Sequence, residues 1–587
     1  MRRRRPTTVV ASLLWAFVLC TGAGCTAKGD SRPGILFRGG TVITADPDGR
    51  TADMLAIRAD RIALIGDSGT LNPAAGYVPV DLRGAVVAPA FVDHHIHLFN
   101  VGLALLNERE NQRLFLDLSD AASLAEVEAR VRGRAESTEP GQWILGTGWS
   151  QAAWGVERLP THDALSRAAP NHPVFLVRVD GHAGWANRAA MRAAGIDHST
   201  PDPPSGTIVR LSGGEPSGVL LERANELISP LVPALSDAEI EQAFGLAVAA
   251  MTARGVREVY DAGFLAYPGV VALNVDFGRY VALLERVDST DPLPLTVNLM
   301  VPAPSALAES LTSHPDRYPV RSPRLRITHL KLFADGALGS RGAALSHPYA
   351  DDRSTSGVYR MDTDGILREA RRALDAGLGV ATHAIGDGAV HRTLDAYEQL
   401  LTERAALDPR RLRIEHFSYA QQRDFERAVR MGIVLSIQSS FNSSPDERPS
   451  FGERRVGAEN ASRVYAWDRL ERMGALLAEG SDYFTAAGPP LLGVHAAWTR
   501  ANAVGMRDGG PAGRLVAFRQ HTALYRADGG PPTGGWLATT RPADLVILSA
   551  DPLSVAEPDV LSIAVLATIH AGRVVYDGGL GIPLRAR

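Results

Sequence analysis

The chain has 587 residues, 61 Lys+Arg against 65 Asp+Glu, a formal net charge of −4, and 45% hydrophobic against 21% charged residues. That balance excludes a disordered chain, collagen and a coiled coil, and it offers no electrostatic footprint for nucleic acid. Both cysteines, Cys20 and Cys25, fall within the first 25 residues, which excludes a disulfide scaffold and a Cys-ligated metal site further along.

Arg2 to Arg5 form a basic start, and residues 9–19 an apolar run of eleven. A bilayer span needs about 20 residues, so this run reads as the core of a signal peptide over residues 1–25. Gly22-Ala23-Gly24-Cys25 resembles a bacterial lipobox, which predicts lipidation of Cys25 and an exported protein anchored to the cell membrane. Cleavage near Ala23 with a secreted product is the alternative. Residues 26–33 read as a polar tether.

Residues 35–42, 54–58 and 61–65 alternate as strands do. So do residues 544–548, 565–570 and 573–576 near the other end. The two ends, 34–85 and 521–587, are expected to close one small β-sandwich. At about 150 residues per domain the length allows one large barrel with such additions. Residues 86–520 carry eight apolar runs, most followed by a helical pattern: 86–92, 256–260, 295–301, 327–333, 380–383, 412–416, 433–437 and 475–479. Eight alternating units predict an α/β fold, a (β/α)8 TIM-like barrel. Residues 100–250 are too long for one crossover and read as an inserted subdomain over one barrel mouth.

Residues whose chemistry suits a metal recur at the ends of these runs. The first ends Phe91-Val-Asp-His-His-Ile-His97. Side chains two apart on a strand share a face, so His95 and His97 point together and His94 points away. Two imidazoles so placed offer two nitrogen donors to one ion. His383, His416 and Asp482 end or follow later strands. Lys331 lies near the end of the fourth. It is one of only two lysines, the other being Lys28, among 61 basic residues. Something at that position requires an amine. Each residue alone could be a core histidine or a helix cap. Together they share the C-terminal face where barrel active sites form.

The ordered set resembles the amidohydrolase superfamily. More closely it resembles amidohydrolase family 3, the branch that includes N-substituted formamide deformylases. The matching segments are APAFVDHHIHL, RVDGHAGWANRAAM, GEPSGVLLE, KLFADGALGSRGAAL, THAIGDGAV, RIEHF and EGSD, with GGTVITAD early and ADLVILSADP late. The resemblance implies a carbamate on Lys331. One divalent ion would take His95, His97, Lys331 and Asp482, and another would take Lys331, His383 and His416. Zinc suits such ligands best, with iron, manganese or nickel as alternatives, and one or two ions are compatible. Asp482 would act as general base in hydrolysis of a non-peptide C–N bond, an amide or an N-formyl or N-acyl amine.

Substrate residues are weaker readings. His182, in the insert, is expected to serve as electrophile or leaving-group acid, or only to fix its own loop. Arg341 could bind a substrate carboxylate or sit in a salt bridge. Trp143, Trp149, Trp154 and Trp185 could line a pocket or form a core, and of these Trp185 is expected to contact the substrate. Tyr483 and Phe484 would narrow the mouth, and Asp335 and Gly336 would shape the turn after the fourth strand. The expected partner is a small-molecule amide, with no nucleic acid, a membrane only through the lipid, and homo-oligomerisation left open. Hydrolysis of a cyclic imide, lactone or phosphoester, or a non-catalytic envelope binding role, are the competing functions.

Overall fold

The computed structural model describes residues 33–583 apart from 71–75, 157, 264–274, 316–321, 444–448, 484–488, 504–510 and 526–534. The expected leader, its lipidation at Cys25 and Phe484 lie outside the described residues. Eight parallel strands, Phe91–Ile96, Val256–Asp261, Thr296–Pro302, Leu325–Phe333, Gly379–Ala384, Leu412–His416, Val434–Ile437 and Leu476–Glu479, pair in chain order. They are buried on both faces, which is why their sequences run apolar rather than alternating. Helices with their own stop and start signals connect them. Asp362 caps Thr363–Asp375 by accepting from the Gly365 amide, and Gln422–Met431 ends at Gly432 in the left-handed region. The architecture is the (β/α)8 barrel.

Asp93 and His95 bridge the first and eighth strands. Asp93 Oδ1 accepts from the Ser481 amide at 2.9 Å, and the Asp482 amide donates to the His95 carbonyl at 2.7 Å. The seam therefore closes at the rim, and it closes through the residues that carry the chemistry.

A second sheet joins the two chain ends. Gly34–Ile43, Thr51–Arg58, Arg61–Gly66, Tyr77–Asp81 and Val86–Pro89 share it with Leu545–Leu548, Val565–His570 and Arg573–Asp577. One core, including Phe37, Leu55, Val87, Ile547 and Ile569, serves both ends. The run 86–92, read as one barrel strand, is two strands in two sheets. Val86–Pro89 pairs with Leu545–Leu548, and the chain crosses over at Ala90. The Ala90 amide donates to Asp544, and the next amide, of Phe91, donates to Gly255 on the barrel. Both halves are buried on both faces, so hydrophobicity alone carries no mark of the break.

The insert is a six-stranded sheet of Leu116–Asp117, Ile144–Trp149, Val174–Arg178, Ala183–Ala186, Gly206–Arg210 and Pro216–Glu222. Its own core includes Trp149, Trp185, Leu176 and Val219. The helix Asp237–Ala253, opened by a capping box between Ser236 and Glu239, returns the chain to the second barrel strand.

Candidate metal centre

The first strand does not alternate as its sequence suggests. Its pairing with the second strand runs Val259 to Asp93 and then Asp261 to Ile96, so it carries one extra residue there. His94 therefore also faces the barrel interior, correcting the expectation that it points away. Its ring stacks on Tyr260 at 5.1 Å, and Tyr260 in turn meets Arg413 and His329. His95 and His97 turn up to the rim. Their Nε2 atoms lie 3.7 and 3.2 Å from Asp482 Oδ1. These three residues form a cluster whose ligand atoms all fall within 4.8 Å of one another.

The other predicted residues converge on it. The His416 ring lies 4.8 Å from that of His95 and 4.6 Å from that of His383. Lys331 is 1% exposed, and its charge is felt by His95, His383 and His416. Both His416 and Asp482 have left-handed backbones, φ 77° and 48°. For His416 this departs from strand alternation and lets Glu415 and His416, consecutive residues, both face inward.

Each imidazole is held by its other nitrogen. His95 Nδ1 meets Glu415 Oε2 at 2.5 Å, His416 Nδ1 meets Gln438 Oε1 at 2.7 Å, and His97 Nδ1 meets the Gly263 carbonyl. His383 Nε2 lies 3.3 Å from the Gly336 carbonyl. Such partners fix the ring and choose the nitrogen left for a metal. Burial, with the Lys331 charge adding to it, lowers the pKa of His95. Burial, then His95 and Lys331, brings His416 down to about 3. Burial and the charges of His416 and His182 push His383 well below its usual value. The downward shifts favour the neutral rings, whose lone pairs a metal would use. Burial raises Asp482, but His95, His97 and His416 outweigh it and hold the carboxyl well below the usual range.

Two buried atoms test whether the site suits a cation. His95 Nε2 and Lys331 Nζ are enclosed without a hydrogen-bond partner among the described residues. Unsatisfied buried polar groups are rare in folded proteins. Burial brings the Lys331 ammonium down to about 8, against the pull of Glu415 and Asp482. The donors are imidazoles and a carboxylate, the set that divalent transition metals prefer. The residues present fit a metal centre.

The insert places His182 at the rim, its ring 5.2 Å from that of His383. His182 Nδ1 lies 3.1 Å from Glu222 Oε2, and its amide donates to Asp180 Oδ1. Burial lowers the His182 pKa, but Glu222 and then Asp180 outweigh it, so the shift is upward. Glu222 is fully buried with φ 52°, and Gly336 and Gly342 clear its space. A Cβ at either glycine would sit 1.8 or 2.2 Å from Glu222 Oε1.

The remaining predictions fare differently. Trp185 is not at the site: it is fully buried in the insert core, packed on Trp149 and Trp154, with its indole N–H on the Thr161 carbonyl. A flat apolar ring is worth more there than at the wet rim, which corrects its reading as a substrate contact. Arg341 sits in an ion pair with Asp351 at 3.0 Å, which Arg455 also joins. Tyr483 is covered by Arg254, whose guanidinium lies 4.8 Å from the ring. Asp335 accepts amides of Ile385, Gly386 and Ala344, tying the fourth and fifth strand loops together. Glu415, Gln438, Asp93 and Glu222 were not singled out from the sequence, although Asp93, Glu415 and Glu222 stand inside the quoted segments.

Comparison with known proteins agrees with this geometry. The model of the amidohydrolase family matches residues 79–576. The protein LONG AFTER FAR-RED 3 of Arabidopsis thaliana is 32% identical, over 92% of this chain and 91% of its own. The N-substituted formamide deformylase of Arthrobacter pascens is 25% identical, over 91% of this chain and 97% of its own. An uncharacterized metal-dependent hydrolase from Pyrococcus horikoshii is 26% identical with a TM-score of 0.65, over 89% of this chain and 99% of that one. The chain belongs to amidohydrolase family 3.

Proposed function

We propose that this protein hydrolyses the C–N bond of a small-molecule amide, an N-formyl or N-acyl amine, at a metal centre built on Lys331. The observation that carries the reading is the buried, unpartnered Lys331 Nζ among three imidazoles and Asp482. A neutral amine in that position can take up CO2 and become an anionic carbamate, which an arginine cannot do. His95, His97, Asp482 and the carbamate would hold one ion, zinc by preference, and His383, His416 and the carbamate a second. Such an ion, when bound, polarises a carbonyl and brings the pKa of water to about 7. The likeness to the formamide deformylase supports an amide as the bond cleaved.

The chain's own groups do the rest. Asp482, held ionised by its imidazole neighbours, accepts the proton of the attacking water and passes it to the leaving amine. His182, whose pKa Glu222 and Asp180 raise, donates a hydrogen bond to the carbonyl oxygen as charge gathers there. The insert shields the rim and brings His182 to it, so binding and chemistry are shared between insert and barrel. The leader adds an envelope location, with a lipid on Cys25, to the proposal.

The test is Lys331→Ala, read by metal content and by turnover of a panel of N-formyl and N-acyl amines. Loss of both is expected. Metal retained with unchanged turnover refutes the role of Lys331. Native mass spectrometry of the wild type should show the carbamate, and acid should remove it.

A further inference from the structure

At the N-terminal ends of the barrel strands, away from the catalytic rim, a cavity of about 600 Å³ opens between the barrel and the terminal sheet. Five arginines line it, Arg61, Arg257, Arg324, Arg326 and Arg541, against three carboxylates. All three carboxylates are already committed. Asp60 pairs with Arg61 at 3.4 Å, and Glu258 takes Arg257 at 3.0 Å and Asn298 at 2.8 Å. Asp544 is shared by His570 at 2.7 Å, the Ala571 amide and Arg257 at 3.5 Å. Arg541 is placed over Trp536, its guanidinium carbon 3.8 Å from the ring centre.

Arg324 and Arg326 are left over. Among the described residues neither forms an ion pair within 4.0 Å, Asp544 and Asp288 act on Arg324 only from farther off, and Arg324 Nη1 is enclosed without any hydrogen-bond acceptor. Arg324 immediately precedes the fourth barrel strand and Arg326 is its second residue, and both line this cavity. A guanidinium is always charged and presents a planar fork that matches carboxylate and phosphate oxygens. Leaving such donors unmet at the wall of a cavity costs free energy that an anion would recover.

We propose that this cavity is a binding site for a small oxyanion, a phosphate or a carboxylate, held by Arg324 and Arg326. The site is separate from the metal centre. Its own pairings set its specificity: Arg61 and Arg257 are in ion pairs with carboxylates, whereas Arg324 and Arg326 line the cavity without one within 4.0 Å among the described residues. Trp536 and Leu537 supply an apolar wall that accommodates a short organic portion beside the anionic head.

The test is calorimetric titration of the full chain with inorganic phosphate and, separately, with succinate, set beside the Arg324→Gln/Arg326→Gln double variant. One saturable site with a dissociation constant below about 1 mM for either probe, weakened about tenfold or more in the double variant, supports the proposal. The probe that saturates distinguishes phosphate from carboxylate. No saturation below about 10 mM with both probes, or equal affinity in the variant, overturns it. Should the double variant fail to fold, as judged by its melt without anion, the single Arg326→Gln variant carries the same comparison. The titration uses neither substrate nor added metal, so its outcome is independent of the amide reading.

Discussion

Gly480 offers a direct test of how the rim is assembled. It follows the eighth strand, two residues before Asp482, and a Cβ placed there would lie 2.4 Å from the His95 nitrogen and 2.6 Å from the His95 Cβ. Non-bonded heavy atoms settle near 3.5 Å or more, so Gly480→Ala forces the two backbones apart by about 1 Å. No flexible side-chain tip can absorb the shift, because the atoms met are the backbone and Cβ of a candidate ligand. Overpacking of this kind costs about 1–3 kcal/mol. The functional loss should be larger than the stability loss, because the displacement separates Asp482 from His95 and His97, now 3.7 and 3.2 Å away. A misplacement of about 1 Å lowers turnover about a hundredfold. Metal content by elemental analysis, thermal melts and turnover are the readouts. Gly474→Ala is the control. Its φ is 85°, but no atom lies within 4 Å of the added Cβ. It should cost about 1 kcal/mol of backbone strain and leave metal and turnover intact. If Gly480→Ala binds metal and turns over within twofold of the wild type, close approach of the first and eighth strands is not what holds the site.

Two further predictions rest on buried pairs. Glu222→Gln removes the charge that raises His182, so turnover should fall about a hundredfold while metal content stays unchanged, and the alkaline limb of the rate profile should move to lower pH. A variant that keeps its pH profile would show His182 to be a loop anchor only. Asp544 joins the terminal sheet to the barrel. Burial raises its pKa, but Arg257 and His570 outweigh this and hold it well below the usual range, while burial lowers His570. A depressed carboxyl stabilises above its unfolded value of about 3.9, and a depressed imidazole stabilises above about 6.5. Both contributions fade as acid is added. Asp544→Asn should therefore cost about 3 kcal/mol near pH 7, and its deficit in melting temperature should shrink only as pH falls below about 3.9, where the carboxyl of the unfolded wild type begins to lose its charge. A deficit constant across that range would place the stabilisation in packing rather than charge.

The strands and their terminal residues were legible because a barrel repeats one rule eight times. An apolar run buried on both faces ends at a rim, and polar side chains there stand out. Lys331 was legible for a separate reason: in a chain that apart from Lys28 otherwise uses arginine, an amine in mid-strand marks chemistry. Partners defined by contact between distant segments were not legible. Glu415 lies 320 residues from His95, and Asp93 lies 388 from Ser481. No local pattern relates such residues. Trp185 was misread because an aromatic cluster in an insert looks the same whether it lines a pocket or fills a core, and only burial separates the two. The break at Ala90 was hidden because two sheets share one hydrophobic run.

Backbone geometry at the rim accounts for what strand alternation could not aim. A strand presents every second residue to the barrel interior, which would turn His416 outward once Glu415 points in. The left-handed φ at His416 brings both inward, so one strand end supplies an imidazole and the carboxylate that orients another imidazole, that of His95. The extra residue in the first strand does the same for His94 and His95, one for the inner layer and one for the rim. Asp482, also left-handed, is fixed by its amide bond to the His95 carbonyl, so the residue that strains the backbone is tied to the residue it serves. Each such conformation costs about 1–3 kcal/mol and persists only where surrounding contacts over-determine it. In this barrel those contacts are Glu415, Gln438 and the close passage of Gly480. Rim strain and ligand orientation are therefore one property, and substitutions that relax the backbone there should loosen the metal before they loosen the fold.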